Sequence, residues 1–322
     1  MQDGVCRWFE RRTSRASDWS AARLVDVKGS TSISVVLPAL NEEATVGAIV
    51  ATIRRRLVER HGLVDELVVM DSGSTDDTCE VAAEAGARVV RREDVLPRFD
   101  PLPGKGEVLW RSLAATSGDL LVFVDSDLRD FTADFVTALL GPLLTDPAVQ
   151  LVKATYDRHL THGEEVLPAG GGRVTELVAR PLLNMHWPEL AGFVQPLSGE
   201  YAARRPLLEQ LPFPTGYGVE VGILVDALRL VGLDGLAQVD LYRRKHRNQE
   251  IGKLGRMASE ILQVALLRLE REGRVKVDAP PCTELVQFER SEDGYLVHRN
   301  QVEPVERPPM ATIPEYHRRR LG

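Results

Sequence analysis

The sequence has few cysteines, few aromatic residues, no excess of positive charge and no long hydrophobic run. Its 3 cysteines, none of them in a C-x-x-C spacing, favour neither a disulfide framework nor a zinc cluster. Forty Lys and Arg against 47 Asp and Glu give a net charge of -7, so the basic surface that nucleic acid requires is not expected. The densest apolar stretch, residues 120–124, is far shorter than a membrane span, and the first residues lack the apolar segment of a secretory signal. We therefore expect a cytoplasmic protein, with neither nucleic acid nor a membrane as its partner.

The remaining composition is that of an ordinary folded protein. Hydrophobic residues make up 43% and charged residues 27% of the chain, close to the average of soluble globular domains. From Ile33 onward, short apolar runs alternate with helical stretches, which predicts an α/β fold with a Rossmann-like, mostly parallel twisted sheet flanked by helices. We expect an N-terminal arm over 1–30, two halves of one α/β domain over 31–148 and 149–271, and a C-terminal extension over 272–322.

Three polar segments directly follow predicted strands. They are PALNEE at 38–43, MDSGSTDDT at 70–78, and DSD at 125–127. In an open parallel sheet, ligands bind in the crevice outside the carboxyl ends of the strands, so all three segments are expected to face one crevice. The first two also have a purely structural interpretation, because their residue types are typical of turns and helix starts.

Asp125 and Asp127 give the strongest chemical signal. Two carboxylates one residue apart, directly after an apolar strand, can both reach a hard divalent cation that bridges two phosphates. His246 follows a later predicted strand within a basic stretch and could complete such a cation site. A single His is more often a structural residue, and that alternative stays open at this point.

Two glycine-flanked positions offer groups for anions. Lys105 lies between two glycines just before a predicted helix, where its ammonium and free backbone N–H groups could meet a diphosphate. It does not form a P-loop, because glycine rather than Ser or Thr follows it. In GGGRVTEL, residues 170–177, Arg173 could grip a phosphate or a carboxylate, and Thr175 adds a hydroxyl. A surface turn and a flexible hinge are the respective structural alternatives.

Two further features do not predict a site. GYGVEVG, residues 216–222, has one residue too many for a dinucleotide fingerprint and does not follow the first strand, so no nicotinamide site is expected. Trp110 and Trp187 fall on predicted helices and are expected in the core rather than as stacking platforms.

The order of these segments resembles the GT-A family of nucleotide-sugar glycosyltransferases, in which the second Asp of the pair and a distal His bind the metal. Within that family, the sequence blocks look like those of the glucosyl- and mannosyl-3-phosphoglycerate synthases of actinobacteria. The blocks are PALNEEAT, DSGSTDDT, PGKGE, VDSDL, GGGRVTELVARPLL, QPLSGEYAA, GYGVE and HRN, with a looser similarity at RPPM, residues 307–310. The resemblance runs from about Ile33 to Asn248. It implies a metal-dependent, retaining hexosyltransferase that moves glucose or mannose from UDP-glucose, GDP-glucose or GDP-mannose to D-3-phosphoglycerate.

The resemblance also implies a role for each matched residue. Donor-binding residues would be Pro38, Ala39, Leu40, Asn41, Glu42, Ser72, Lys105, Asp125, Ser126, Asp127 and Arg244. Acceptor-binding residues would be Gly172, Arg173, Thr175 and Asn248. Asp127 and His246 would bind the metal, with Mg²⁺ expected and Mn²⁺ or Co²⁺ as substitutes, and the catalytic residues would be Asp127, Lys105 and Glu220. Residues 31–148 would then hold the nucleotide sugar, and residues 149–271 the acceptor.

Several alternatives stay open from the sequence. Glucose and mannose differ at one hydroxyl, and neither the sugar nor the base is chosen. We favour front-face transfer, with Glu220 only orienting a sugar hydroxyl, over attack by Glu220 as a nucleophile. The Pro-rich tail cannot form its own core, which favours a homodimer. The rival functions are a polyprenyl-phosphate glycosyltransferase, which the missing membrane anchor disfavours, and a non-catalytic sugar-nucleotide sensor, which would need no acceptor site.

Overall fold

A computed structural model of the chain describes residues 3–158, 160–162, 165–167, 172–244, 251–303 and 305–321. Its main sheet has eight strands: β1 (Thr13–Arg15), β2 (Ile33–Ala39), β3 (Glu66–Asp71), β4 (Arg88–Arg91), β5 (Leu120–Phe123), β6 (Leu151–Arg158), β9 (Tyr201–Arg204) and β11 (Leu236–Arg244). Three small two-stranded sheets contain the others: β7 (Leu160–His162) with β8 (Glu165–Leu167), β10 (Phe213–Pro214) with β14 (Glu306–Arg307), and β12 (Glu284–Ser291) with β13 (Gly294–Gln301).

Helices cover both faces of the main sheet. They are α1 (Asp3–Arg12), α2 (Ala21–Lys28), α3 (Val46–Ile53), α4 (Thr78–Glu84), α5 (Lys105–Ala115), α6 (Asp134–Thr145), α7 (Arg180–His186), α8 (Arg205–Leu208), α9 (Val219–Val231), α10 (Ile251–Arg271) and α11 (Pro314–Leu321). Two π-helical segments, Arg54–Glu59 and Thr175–Ala179, extend α3 and precede α7. None of the helices in the described ranges is both long enough and apolar enough to cross a membrane.

The main sheet runs in the order β1-β11-β6-β9-β5-β2-β3-β4. Neighbouring strands pair in parallel except at β9, which is antiparallel to both β5 and β6. Seven strands therefore point the same way, and their carboxyl ends share one edge with the amino end of β9. The prediction of a mostly parallel α/β sheet flanked by helices is confirmed; the single reversed strand was not anticipated.

Burial on both faces explains why β2 and β5 are almost wholly apolar. Alternate side chains of β2 enter different cores, because successive residues of a strand point to opposite faces. Val36 lies in one hydrophobic cluster, together with α5 and α9, whereas Val35 and Leu37 lie in the other, together with α3 and α6. Trp110 and Trp187 are buried in the first cluster, as predicted.

The chain before Ile33 is part of this fold. β1 pairs in parallel with β11 at one end of the sheet, and α2 packs on α6. Trp8 of α1 is fully buried, and its indole N–H donates to the Leu236 carbonyl over 2.9 Å. At the other end of the chain, the β12–β13 hairpin and β14 follow α10.

Candidate active site

The carboxyl ends of β2 and β5 bring the PALNEE and DSD segments together. Val36 and Phe123 are register partners, and beyond them the Val124 N–H donates to the Val36 carbonyl over 3.1 Å. The Ser126 hydroxyl donates to the Pro38 carbonyl over 2.7 Å. Because β2 lies between β3 and β5, the order of the strands reverses here, and such a reversal is where open α/β sheets bind their ligands.

The loops after β2 and β3 are joined into one wall, referred to below as the donor wall (residues 38–43 and 71–78). The Ser72 N–H donates to the Ala39 carbonyl over 2.9 Å. Asn41, which has a φ of +57°, accepts a bond of 2.8 Å from the Thr75 N–H on its side-chain oxygen. The Ser74 hydroxyl accepts from the Asn41 N–H over 3.0 Å. The side-chain oxygen of Asn41 is thus used within the wall.

Asp71 also has a structural role in the donor wall. Asp71 is buried and its carboxylate accepts from the Gly73 and Ser74 N–H groups over 3.0 and 3.1 Å, which closes the turn after β3. By contrast, Leu40 is 53% exposed at the top of the donor wall, where it is available to a ligand.

Negative charge is concentrated where the donor wall meets the turn after β5. The wall contributes Glu42, and the turn contributes Asp125 and Asp127. Burial, together with the charge of Asp127, raises the pKa of Glu42 to about 6. Thr45 fixes the turn that carries the two aspartates, because its hydroxyl donates to the Ser126 carbonyl over 2.6 Å. Carboxylate oxygens are the ligands that a hard divalent cation prefers, so these side chains fit Mg²⁺ or Mn²⁺ only as part of a larger ligand set.

The second predicted metal ligand, His246, lies outside the described residues, as does Asn248. Within the described ranges, no group of three or more His, Cys, Asp or Glu side chains could hold a metal ion by itself. β11 ends at Arg244, at the same sheet edge as β2 and β5, and the chain then continues toward His246. The side chain of Arg244 is not among those described.

Lys105, Asp125 and Glu220 meet at the centre of the edge. The Lys105 ammonium lies 2.6 Å from Asp125 Oδ1 and 3.2 Å from Glu220 Oε1. Burial alone would lower the pKa of Lys105, but the charges of Asp125 and Glu220 outweigh it and raise that pKa well above its usual value. Lys105 is the first residue of α5 and Glu220 the second of α9, so two helix starts meet at this ion pair. Three residues separated widely in sequence are thereby brought together.

The reversed strand β9 adds residues that the sequence interpretation missed. Its amino end lies at the same edge, and Gly199 packs so closely there that a Cβ would sit 2.4 Å from both Asp125 Oδ2 and Lys105 Nζ. The only signal in the sequence was the SGEY block, which gives no reason by itself to place Gly199 against Asp125, 74 positions earlier.

A buried polar layer supports this segment from below. The ammonium of Lys153, on β6, donates to the Ser198 carbonyl over 2.8 Å. Burial lowers the pKa of Lys153 to about 8. Glu200 accepts from the Tyr156 hydroxyl over 2.9 Å and from the Ser198 hydroxyl over 3.1 Å. Burial raises the pKa of Tyr201 well above its usual value, and the Lys153 ammonium lies 5.2 Å from the centre of its ring.

The predicted acceptor residues begin a separate helical stretch. Gly172 has a φ of +80°, and its carbonyl accepts from the Glu176 N–H over 3.0 Å, which starts the helical stretch just before the π-helical segment. Arg173 is half-buried at this start. Thr175 is 1% exposed, and its hydroxyl has no hydrogen-bond partner among the described residues. A buried hydroxyl without a partner is costly, and a ligand atom would satisfy it.

A mostly parallel sheet with one reversed strand, and an Asp-Ser-Asp turn at its strand-order reversal, define a nucleotide-sugar glycosyltransferase of the GT-A fold. Residues 34–167 match the family described as Glycosyl transferase family 2. The glucosyl-3-phosphoglycerate synthase of Mycolicibacterium smegmatis is 49% identical over 309 residues, covering 95% of this chain and 98% of its own length. The chain belongs to the family of glucosyl-3-phosphoglycerate synthases.

Solved structures agree with this assignment. The mannosyl-3-phosphoglycerate synthase of Rubrobacter xylanophilus superimposes with a TM-score of 0.89 at 39% identity, covering 96% of this chain and 99% of its own. The glucosyl-3-phosphoglycerate synthase of Mycobacterium tuberculosis, in complex with Mn²⁺, UDP and glucosyl-3-phosphoglycerate, superimposes with a TM-score of 0.79 at 49% identity, covering 91% of this chain and 95% of its own. The same synthase is also known with Mg²⁺ and UDP.

Proposed function

We propose that this protein transfers a glucosyl group from a nucleoside diphosphate sugar, UDP-glucose in first place, to the free hydroxyl of 3-phosphoglycerate. The observation that carries the proposal is the ion pair of Lys105 with Asp125 and Glu220, which lies at the strand-order reversal directly beside Asp127. Identity to glucosyl synthases at 49%, against 39% to the mannosyl synthase, supports glucose as the sugar.

On the donor side, we assign the binding of the base and ribose to the donor wall. Pro38, Ala39 and Leu40 would line the base, and Asn41 and Glu42 would complete this lining, with the side-chain oxygen of Asn41 already accepting from the Thr75 N–H. Ser72 would lie beside the base, and Asp125 and Ser126 beside the ribose. Lys105 and Arg244 would face the diphosphate.

On the acceptor side, 3-phosphoglycerate carries both a phosphate and a carboxylate, which require local positive charge and N–H donors in a chain of net charge -7. Arg173 and the N–H groups at the start of the helical stretch supply these. The Thr175 hydroxyl, which is buried and has no hydrogen-bond partner among the described residues, would donate to one oxygen of the acceptor. Gly172, with its φ of +80°, lets the backbone approach the ligand closely. Asn248 would complete the set.

A divalent cation, Mg²⁺ by preference, would be held by Asp127 and His246, with phosphate oxygens as its remaining ligands. When bound, it supplies a Lewis acid that neutralises charge on the departing nucleoside diphosphate. Lys105 adds a fixed positive charge at the same side, because its raised pKa keeps it protonated at neutral pH.

We propose that transfer retains the anomeric configuration and takes place on the front face, where the leaving phosphate removes the proton of the acceptor hydroxyl. Glu220 is a carboxylate of this site that could act as a nucleophile instead, but its Oε1 is 3.2 Å from the Lys105 ammonium. An ion-paired carboxylate is a weaker nucleophile, so we assign Glu220 to orienting a sugar hydroxyl. Isolation of a covalent glycosyl adduct on Glu220 would contradict this assignment.

The direct test incubates the purified protein with Mg²⁺, 3-phosphoglycerate and, in separate reactions, UDP-glucose, GDP-glucose and GDP-mannose. We expect a product of the mass of glucosyl-3-phosphoglycerate, formed fastest from UDP-glucose, and no product after removal of divalent cations by a chelator. Faster transfer from GDP-mannose would overturn the choice of sugar. Absence of product with all three donors would overturn the function.

A substitution at Arg173 separates an enzyme from a sensor of sugar nucleotides. Arg173→Gln removes a planar, bidentate anion contact, so we expect turnover to fall by about 10²-fold or more while the Kd for UDP stays within about twofold of wild type. Arg180→Gln is the matched control, since Arg180 lies about two helical turns further on and forms an ion pair with Glu176. Unchanged turnover in Arg173→Gln would count against the acceptor assignment.

We further propose a cytoplasmic homodimer joined through the β12–β13 hairpin. One face of this hairpin carries Val286, Phe288, Tyr295 and Val297, which are 40–68% exposed. The opposite face is held to α10, where the Gln287 amide donates to the Gly252 carbonyl over 3.0 Å. A two-stranded hairpin is marginally stable alone in water, and a second copy of the same apolar face would cover it symmetrically.

A further inference from the structure

Near its C-terminal end, the chain packs against β10 and α5 in a segment that we name the strap (residues 305–309). Within it, β14 pairs with β10, and the Thr215 N–H donates to the Val305 carbonyl over 2.9 Å. The indole N–H of Trp110, on α5, donates to the Pro308 carbonyl over 2.8 Å. The strap therefore contacts both β10 and α5.

Arg307 is the centre of the strap. Its guanidinium donates to both carboxylate oxygens of Glu107, over 2.6 and 2.9 Å, and it lies 5.3 Å from the centre of the Trp110 ring. Glu107 is 0% exposed and also accepts from Arg111 over 2.5 Å. A buried carboxylate held by two guanidinium groups makes this contact rigid, and loss of one partner leaves a buried charge incompletely paired.

The strap is connected to the ion pair of the active site through the first turn of α5. Glu107 lies in the first turn of α5, two residues after Lys105. Thr215, whose N–H donates to the strap at Val305, accepts on its own carbonyl from the Gly106 N–H over 2.8 Å. At Gly106 the fit is so close that a Cβ would lie 1.7 Å from the Pro214 carbonyl oxygen. The position of Lys105 is thus set from both sides by residues bound to the strap.

We propose that Arg307 is a positioning residue for glycosyl transfer: by holding Glu107 it fixes the first turn of α5 and keeps the Lys105 ammonium on Asp125 and Glu220. This goes beyond the role of Lys105 itself and rests on the proposed function only in assigning Lys105 to the reaction. The bidentate contact and the stacking on Trp110 require Arg, because a Lys ammonium reproduces the charge but neither the fork nor the plane.

The test is a double-mutant cycle in activity with Arg307→Lys and Lys105→Met. We expect Arg307→Lys to lower kcat by about 10-fold or more with little change in the KM for 3-phosphoglycerate, since small displacements of a catalytic group cost rate. If Arg307 acts through Lys105, the double variant is no slower than Lys105→Met alone. Multiplicative losses in the double variant would show an independent, merely structural role and overturn the proposal.

A second measurement does not depend on turnover. Limited acetylation of the intact protein, followed by mass spectrometry, reports how accessible the Lys105 amine is. We expect Lys105 to be modified faster in Arg307→Lys and in Trp110→Phe, which loses the bond to Pro308, than in wild type. An unchanged rate at Lys105 in both variants would overturn the proposal even if the wild type shows no transfer to 3-phosphoglycerate.

Arg98→Gln is the matched control for both measurements. Arg98 forms an exposed ion pair with Glu315, which lies on α11, after the strap. We expect its kcat and its Lys105 acetylation rate to equal those of wild type. Thermal unfolding of each variant is followed in parallel, so that a loss of folded protein is not counted as a loss of rate.

Discussion

At the scale of single residues, Gly199 has no room for a side chain beside the ion pair of the active site. A methyl group there would come within 2.4 Å of both Asp125 and Lys105, although Gly199 does not have a positive φ and its backbone conformation is open to alanine. The site therefore needs glycine for space rather than for backbone freedom. This distinguishes Gly199 from Gly104, whose φ is +109°.

We predict that Gly199→Ala separates activity from stability. The added methyl displaces the Lys105–Asp125 pair, so kcat/KM falls by about 10²-fold, whereas the melting temperature changes little because the surrounding polar groups are at the site edge. Steady-state kinetics and thermal unfolding provide the two readouts. Gly4→Ala, on α1 with nothing within 4 Å of the new Cβ, is the control and is expected to retain full activity. Equal activity of both variants would contradict the prediction.

Lys153 carries a second residue-scale prediction, concerning pH. Its pKa is lowered to about 8 in the folded protein, below its ordinary value of 10.5, so between those values the unfolded chain binds more protons. Stability must therefore rise with pH across that window, and the cost of burying the charged form, about 3 kcal/mol, is present below pH 8. Lys153→Met has no charge to bury but leaves the Ser198 carbonyl without its donor.

Urea unfolding at pH 7.5 and pH 10 checks this. Between pH 7.5 and pH 10, we expect the unfolding free energy of wild type to rise by about 2 kcal/mol relative to that of Lys153→Met, since only wild type gains from deprotonation. Lys276→Met, which removes an exposed lysine, is the control and is expected to show no such shift. A pH-independent difference would show that Lys153 has an ordinary pKa.

At the scale of elements, several hydrogen bonds join the two loops of the donor wall, and one of them runs from the Thr75 N–H to the Asn41 side chain. Asn41→Gly keeps a residue suited to the φ of +57° but removes the 2.8 Å bond from Thr75, whereas Asn41→Ala adds backbone strain. We predict a loss of stability of about 1 kcal/mol for the first and about 2 kcal/mol for the second. The KM for the nucleotide sugar is expected to rise in the same order, with kcat nearly unchanged. A lower kcat at unchanged KM would place Asn41 in the chemistry instead.

Elements of the first half could be predicted from sequence because each is specified locally. β2 and β5 are short apolar runs, and the alternation of strands and helices fixes a parallel sheet. In the second half, α9 and α10 are likewise specified locally, since apolar periodicity and neighbouring glycines mark them. The direction of β9 could not be predicted, because four residues of strand carry no signal for the partner strand or its orientation.

The same limit applies to the active site. Asp125 and Lys105 follow or begin predicted elements at the sheet edge, and local pattern was enough to select them. Gly199 and Lys153 act through packing against residues far away in sequence, so only the folded sheet reveals them. In physical terms, the sequence shows which groups can do chemistry, whereas the support beneath them is a property of tertiary structure.

At the scale of the whole molecule, the exposed hairpin face predicts self-association. Phe288→Asp introduces a charge at the middle of the apolar face, where the side chain is 68% exposed. We expect this variant to sediment as a monomer while wild type sediments as a dimer, because a buried, unpaired carboxylate is costly at an interface. Leu296→Asp is the matched control, since Leu296 is 53% exposed but points to the other face. A dimer in both variants would locate the interface elsewhere.

The pairing of Glu107 with Arg307 spans 200 positions, which has a consequence for the order of events during synthesis. A ribosome exposes the aspartates and the lysine of the reaction centre long before it adds the segment that anchors their helix. The nascent chain can then hold a complete set of reactive groups without the rigidity that aligns them. Catalysis would therefore switch on late and abruptly, once the final stretch of polypeptide has docked.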